Sequence, residues 1–391
     1  MTQKQLHNRR NFLKKSISGI AGVGILPAAL PSDTQEKNQE KQPNIKRYRR
    51  LGRTGFKVSD IGFGASFLTN PNVLQAAFDM GVNYIDTGEH YGGGRSERSI
   101  GQALQGRDRS SLFITTKLNL DFGPDSKEAI LNRFRKCLNR LQTDYVDCLM
   151  IHMCKDENQV KHKNFHAAAA ELKAEGKVKY IGLSNHGPEQ RIYGNLEVPM
   201  EKVMAAAAED GRFDVGLFVY NFLQKKQGEN IIKLCKSRDM GVTLMKTNPV
   251  KVYNRRKAGI EERKEAGREP SDRLRKIMED YKTWLTNVEQ FKEQYGLRGE
   301  EEVRDAAITF SLTNPDVHTA CISINNFSDL ETFVNLSGTG LKYTDVGLMK
   351  QYETFYGNYY CRHACNSCSA SCPEQVPINT IMRYSHYMEA Q

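Results

Sequence analysis

The chain has 391 residues, of which 39% are apolar and 26% charged, enough for one large folded domain or two ordinary ones. Its formal net charge is +10, but five of the positive charges (Lys4, Arg9, Arg10, Lys14 and Lys15) fall in the first 30 residues with no acid among them. There is no basic stripe interleaved with aromatics, and no apolar run of about 18 residues follows the N-terminus, which speaks against nucleic acid as a partner and against a stable membrane span.

In chain order, HNRRNFLKK (7–15) precedes a mildly apolar stretch of small residues, SISGIAGVGILPAALP (16–31). A paired arginine, then Phe-Leu-Lys, then a weak apolar segment resembles a twin-arginine export signal over residues 1–31, with cleavage near Ala29 or Leu30. An ordinary signal or a lipid-surface anchor is the plainer alternative. The twin-arginine reading predicts a periplasmic or otherwise extracytoplasmic protein, exported folded and with any cofactor already installed. Residues 32–45 are polar and aperiodic and read as a disordered linker, so the folded domain is expected to begin near Lys46.

RYRRLGRTGFKVSD (47–60) has two glycine turns and suggests a small hairpin. Eight short apolar, β-branched runs follow: IGFGA (61–65), NYIDT (83–87), LFITTK (112–117), VDCLMIH (146–152), VKYIGLS (178–184), VGLFVY (215–220), GVTLMK (241–246) and HTACIS (318–323). Helical segments separate them. In 125–142, Ile130, Phe134, Cys137, Leu138 and Leu141 share one face at spacings of three and four, and Asp125 or Ser126 can cap the start. Gly81, Gly176 and Gly241 stand where helices hand over to strands. Eight alternating units predict a closed (β/α)8 TIM barrel over 46–340, with the hairpin on its floor. A doubly wound sheet ranks second, because GFGASFLT (62–69) lacks the G-x-G-x-x-G turn. Residues 250–300 are long and heavily charged, and read as a solvated helical insertion or, alternatively, as a lid over the barrel mouth.

Chemistry on such a barrel sits at the C-terminal strand ends. Those ends supply Asp86, then Tyr91 in the loop TGEHYGGG, then Lys117, His152, and Ser184-Asn185. Each alone is more often a structural hydrogen bonder; four titratable groups converging on one rim point to proton chemistry. A free tyrosine titrates near 10, and a neighbouring cation is expected to lower that value.

GVNYIDTGEHYGGGRSERSIGQAL (81–104), FITTK (113–117), VDCLMIH (146–152), GKVKYIGLSNH (176–186) and the opening RYRRLGRTGFKVSDIGFG (47–64) resemble the aldo/keto reductase superfamily, over roughly 47–337. The resemblance implies hydride transfer between a nicotinamide cofactor, NAD or NADP, and a small carbonyl or alcohol substrate, with a sugar or its keto derivative as a candidate. It implies Tyr91 as general acid, Lys117 as its tuner, Asp86 as the partner of Lys117, and His152 as the donor that orients the carbonyl. Gly64, Asp86, Ser184, Asn185, Met245 and Lys246 would line the cofactor, with Ser184 and Asn185 on its carboxamide. The chain departs from the family at three places. Leu217 stands near the usual Gln, Met245 or Lys246 replaces a stacking Tyr, and Ile324-Asn325-Asn326 lacks the basic residues that hold a 2′-phosphate. NAD against NADP is therefore open, and a tightly held cofactor is expected.

Five cysteines (Cys137, Cys148, Cys154, Cys235 and Cys321) are scattered and mostly read as core filler. Cys361, Cys365, Cys368 and Cys372 form C-x3-C-x2-C-x3-C-P, one residue longer in its first gap than the bacterial ferredoxin run. A [4Fe–4S] cluster, two disulfides and a four-cysteine zinc site all remain open, and His363 is a weaker candidate ligand. A fourth cysteine that ligates a different cluster in two-cluster ferredoxins makes a remote ligand conceivable here. Within a C-terminal module over 341–391, YYCRHACNSCSASCPEQVPINTIMRY (359–384) resembles the iron–sulfur tail of exported aldo/keto reductases, which implies an electron-transfer partner, and residues 341–360 would link that tail to the barrel.

Overall fold

Tyr48–Arg50 (β1) and Lys57–Ser59 (β2) pair antiparallel, as the two glycine turns suggest. Leu51 follows β1 and is fully buried against Tyr84, Phe113, Cys148, Val215 and Leu217, so the hairpin plugs the barrel floor. The plug comes so close to the wall that only glycine fits at Gly52. Its φ is +48°, and a Cβ there would lie 2.4 Å from the Gly241 nitrogen.

The next eight strands close on themselves, every pair parallel: β3 (Ile61–Gly64), β4 (Tyr84–Asp86), β5 (Phe113–Leu118), β6 (Val146–Ile151), β7 (Val178–Asn185), β8 (Val215–Val219), β9 (Gly241–Met245) and β10 (Thr319–Ser323), with β10 pairing back onto β3. The computed structural model describes residues 44–187 and 198–342, together with Thr344, Gly347 and Ile381. The expected signal, most of the linker and the Cys361–Cys372 run lie outside the described residues. Ile45, assigned above to the linker, is buried, and its N–H donates to the Met80 carbonyl at 2.9 Å, so the ordered domain starts slightly before Lys46. Strand interiors are buried on both faces, the signature of a parallel sheet covered by helices.

The covering helices are α1 (Pro71–Asp79), α2 (Arg95–Ala103), α3 (Lys127–Leu141), α4 (Glu157–Val160), α5 (Lys163–Ala174), α6 (Met200–Asp210), α7 (Lys225–Ser237), α8 (Pro249–Glu265), α9 (Asp272–Tyr295), α10 (Glu300–Thr313) and α11 (Phe327–Asn335). Helix α3 shows the local logic. The Ser126 hydroxyl caps it by accepting from the Ala129 N–H at 3.2 Å, and Gln142 ends it in a left-handed conformation, φ +50°. Ile130, Leu131, Phe134, Cys137, Leu138 and Leu141 are buried along one stripe. Each such burial contributes about 1.5–3 kcal/mol before the entropy of ordering is subtracted.

The charged insertion is helical, as expected, but it is not simply solvated. Helix α9 buries Leu274, Met278, Val288, Phe291 and Tyr295, and the Phe291 ring stacks on Phe222, in the loop after β8, at 3.9 Å. Phe310 of α10 completes that aromatic cluster. The Arg255 guanidinium of α8 sits over Phe67, in the loop after β3, at 5.9 Å.

Between β9 and β10, His318 Nδ1 accepts from the Val242 N–H at 2.8 Å. Burial pulls its imidazole down from 6.5 to about 4. A histidine depressed in the native state binds its proton more readily when unfolded, so the stability it secures is full above pH 6.5 and is lost as the pH falls toward 4. Urea unfolding at pH 7 and pH 4.5 should show His318→Asn losing about 2 kcal/mol less than the native chain over that interval. Equal losses would show that His318 does not control acid sensitivity.

Candidate active site

The parallel register brings the strand ends to a common rim. Gly64 pairs with Asp86, Asp86 with Thr115, Lys117 with Met150, and Ile151 with Leu183. Asp86 ends β4, Lys117 is next to last in β5, His152 follows β6, and Ser184 and Asn185 end β7. Tyr91 opens a 3-10 turn, Tyr91–Gly94, that leads into α2.

Lys117 is completely buried, and its ammonium donates to three acceptors: Asp86 Oδ2 at 2.7 Å, the Thr87 carbonyl at 2.6 Å and Tyr91 Oη at 3.3 Å. An ammonium has three protons, so all are allocated. Because Tyr91 Oη accepts from Lys117, its own proton must point elsewhere. The His152 ring meets the Tyr91 ring edge-on at 5.6 Å. Both His152 ring nitrogens and Asp86 Oδ1 are buried without a hydrogen-bond partner among the described residues. Leaving such atoms unpaired costs about 1–3 kcal/mol each, which a protein tolerates chiefly where a ligand completes them.

Burial pulls the Lys117 ammonium down, but Asp86 and Tyr91 overcome it and hold the lysine above its ordinary value. Burial pushes the Asp86 carboxyl up, against the pull of Lys117. Burial, then Lys117 and His90, holds His152 well below the usual histidine range, so its imidazole is neutral and offers one N–H and one acceptor. Tyr91 corrects the expectation from sequence. Lys117 does pull the phenol down, but burial outweighs it and the Asp86 charge adds to the rise, so Tyr91 lies above the ordinary phenol value of 10.0. The group is a protonated donor throughout the neutral range. Tyr91 O–H and His152 N–H, adjacent and uncharged, suit a single oxygen that gains negative charge.

The residues expected to line a cofactor are placed as follows. Ser184 Oγ accepts from the Met153 N–H at 3.0 Å, and Asn185 Nδ2 donates to the Cys154 carbonyl at 2.8 Å while Oδ1 accepts from the Gly187 N–H at 2.9 Å. These bonds hold the backbone behind His152, where Met153 is left-handed at φ +59°. Gly64 lies close to its neighbour strand, where a Cβ would crowd the Ile322 carbonyl at 3.1 Å. Leu217 and Met245 pack in the barrel interior. Lys246, at φ +55°, donates from Nζ to the His186 carbonyl at 3.2 Å. The segment from Ile322 to Asn335 contains Asp329 and Glu331 and no Lys or Arg, and Asp329 Oδ2 accepts from the Asn325 N–H at 3.3 Å.

Sequence reasoning missed Glu89, Asn119 and Arg133, which meet beside Tyr91. Glu89 was visible inside TGEHYGGG, but nothing in the linear order linked it to an arginine on α3. Among the described residues no cluster of three or more His, Cys, Asp or Glu side chains is arranged to hold a metal. Cys137, Cys148, Cys154 and Cys235 are buried, and Cys321 is partly buried.

Fold and site together define a (β/α)8 barrel with a Tyr–Lys–Asp–His group at its C-terminal rim. Residues 65–353 match the model of the aldo/keto reductase family, and the chain belongs to that family. An uncharacterized oxidoreductase of Bacillus subtilis, YqkF, is 34% identical over 155 residues, 36% of this chain and 50% of that protein. L-galactose dehydrogenase of Arabidopsis thaliana is 35% identical over 155 residues, 35% of this chain and 47% of that protein. The chain thus spans about half the length of these curated relatives. Among solved structures, the holo form of aldo-keto reductase AKR11C1 from Bacillus halodurans superposes with a TM-score of 0.55 at 19% identity, covering 78% of this chain and 95% of that one. An aldo-keto reductase from Klebsiella pneumoniae in complex with NADPH gives 0.54 at 20% identity, covering 80% and 95%. At that identity the likeness concerns the fold.

Proposed function

We propose that the protein is an NAD(P)-dependent oxidoreductase that interconverts a carbonyl and an alcohol. The observation that carries this reading is the Lys117 ammonium, locked to Asp86 and donating to Tyr91 Oη beside a neutral His152. Bound nicotinamide would supply or accept the hydride. Ser184 and Asn185, a hydroxyl and an amide at the rim next to His152, have the donor and acceptor chemistry to hold its carboxamide. Residues 322–335 themselves carry no Lys or Arg for a 2′-phosphate, but the Arg304 guanidinium lies over the Phe333 ring at 5.5 Å, so NAD and NADP are both proposed.

The roles of the residues follow from their protonation. His152 donates its N–H to the substrate carbonyl oxygen and orients it. Tyr91 donates its phenolic proton to the same oxygen as charge develops, and takes a proton back in the oxidative direction. Lys117 stabilises the phenolate left behind, and Asp86 fixes Lys117 without neutralising its reach to Tyr91. A sugar or sugar-derived carbonyl is the proposed substrate class, supported by the similarity to L-galactose dehydrogenase.

Residues 1–31 are proposed as a twin-arginine signal that directs the protein out of the cytoplasm. Cys361, Cys365, Cys368 and Cys372 are proposed to hold a [4Fe–4S] cluster that exchanges electrons with a partner, zinc and disulfides being the alternatives. These two proposals rest on sequence motifs.

Anaerobic purification of the full chain tests the reading. Bound dinucleotide, iron and sulfide are expected, together with oxidation of reduced nicotinamide when sugar-derived aldehydes are added. Retained dinucleotide with no turnover across a broad carbonyl panel would favour a non-catalytic binding or electron-transfer protein on this barrel. Metal-free protein without free thiols in 361–372 would replace the cluster with disulfides.

A further inference from the structure

Glu89 precedes Tyr91 by two residues, and its side chain is only 9% exposed. The carboxylate accepts from Arg133 Nε at 3.1 Å through Oε2, and from Arg133 Nη2 and the Asn119 N–H through Oε1, the latter at 3.0 Å. His90 Nε2 lies 3.2 Å from Oε1. Arg133, on α3, places two further donors on the carbonyls of Asn119, at 2.6 Å, and Pro124, at 3.2 Å. The Glu89 N–H donates to the Lys117 carbonyl at 3.1 Å. A single residue therefore ties the segment bearing Tyr91 to the strand end bearing Lys117 and to a helix on the outer layer.

On the other side of Tyr91 the side-chain restraints are exposed ones: Arg95 Nε donates to the Gly92 carbonyl at 3.1 Å and Arg98 Nη2 to the Gly93 carbonyl at 3.2 Å. Gly92, Gly93 and Gly94 are all left-handed, at φ +58°, +63° and +82°, and glycine restricts its own backbone least. A buried ion pair is weak evidence for stability, since apolar residues of the same volume often serve as well. What a forked guanidinium on a carboxylate does supply is fixed geometry. We infer that Glu89 and Arg133 are a positioning pair that holds the Tyr91 phenol in register with Lys117 and His152. Its kinetic consequence rests on the oxidoreductase reading; its consequence for backbone order does not.

The test uses the full-length chain with Glu89→Gln, Arg133→Met and Arg133→Lys. Two readouts are needed: amide hydrogen exchange over residues 88–94, and kcat and KM with 4-nitrobenzaldehyde and reduced nicotinamide. Glu89→Gln and Arg133→Met should speed exchange in 88–94 by at least ~10-fold while the barrel strands keep their protection. They should lower kcat by about 10- to 100-fold with KM changed by less than about 3-fold, as expected of a misplaced acid. Arg133→Lys should recover part of both effects. Exchange that is unchanged in 88–94, or raised equally in every strand, would overturn the inference, as would a kcat within about 2-fold of the native value. If native protein and Tyr91→Phe reduce the aldehyde equally, the oxidoreductase reading fails; in that case, and if neither protein reduces this aldehyde, the exchange data alone decide the role of the pair.

Discussion

Tyr91→Phe is expected to lower kcat for carbonyl reduction by about 10²–10⁴-fold, the usual worth of a positioned general acid, while dinucleotide affinity stays within about 2-fold. On the free-energy scale that is about 3–5 kcal/mol of transition-state stabilisation. The substitution removes the one proton donor that Lys117 orients and leaves the ring that packs edge-on against His152. Because burial raises the Tyr91 phenol above 10.0, the reductive direction should be independent of Tyr91 ionisation from pH 6 to pH 9, about one unit short of the ordinary phenol value. Alcohol oxidation, which needs the phenolate, should instead climb steadily across that range. Stopped-flow turnover with a reactive aldehyde, paired with fluorescence titration of reduced nicotinamide, checks both statements. An unchanged turnover in the phenylalanine variant would sink the assignment of Tyr91.

Lys117→Met should destabilise the fold by about 3–5 kcal/mol, because it leaves the buried Asp86 carboxyl without its cation. For a chain of this size, each kcal/mol corresponds to about 1–2 °C in Tm. The double variant Asp86→Asn/Lys117→Met should be more stable than Lys117→Met alone. The second change removes the charge that the first one stranded, so the two effects are not additive. Turnover should be lost in both variants even at temperatures where they are folded. Chemical unfolding of the three proteins gives the comparison. If Lys117→Met lies within about 1 kcal/mol of the native chain, the pair does not carry the electrostatic weight assigned to it.

All eight barrel strands could be read from the linear order, because each is a short β-branched run flanked by helical spacing. Ser126 and the apolar stripe of α3 were readable for the same reason: capping and amphipathicity are local. The rim residues Asp86, Tyr91, Lys117 and His152 could be picked out because a parallel barrel presents the C-terminal ends of its strands on one face. The helical character of the insertion was also readable, but its packing was not. Phe291 meets Phe222 from nearly 70 residues away in sequence, and nothing in the charged composition of 250–300 announces that contact.

By itself the sequence determined the alternation of strand and helix, the identity of the titratable groups at the strand ends, and the motifs of an aldo/keto reductase. Only the tertiary structure decided how those groups are protonated and held. The cation beside Tyr91 could be foreseen, but not that burial and Asp86 together outweigh it. Nor could the pairing of Glu89 with Arg133 across 44 positions, or the use of Ser184 and Asn185 to hold the backbone behind His152. Motif and periodicity are properties of a few consecutive residues, whereas burial and the sum of nearby charges belong to every neighbour a side chain acquires when the barrel closes.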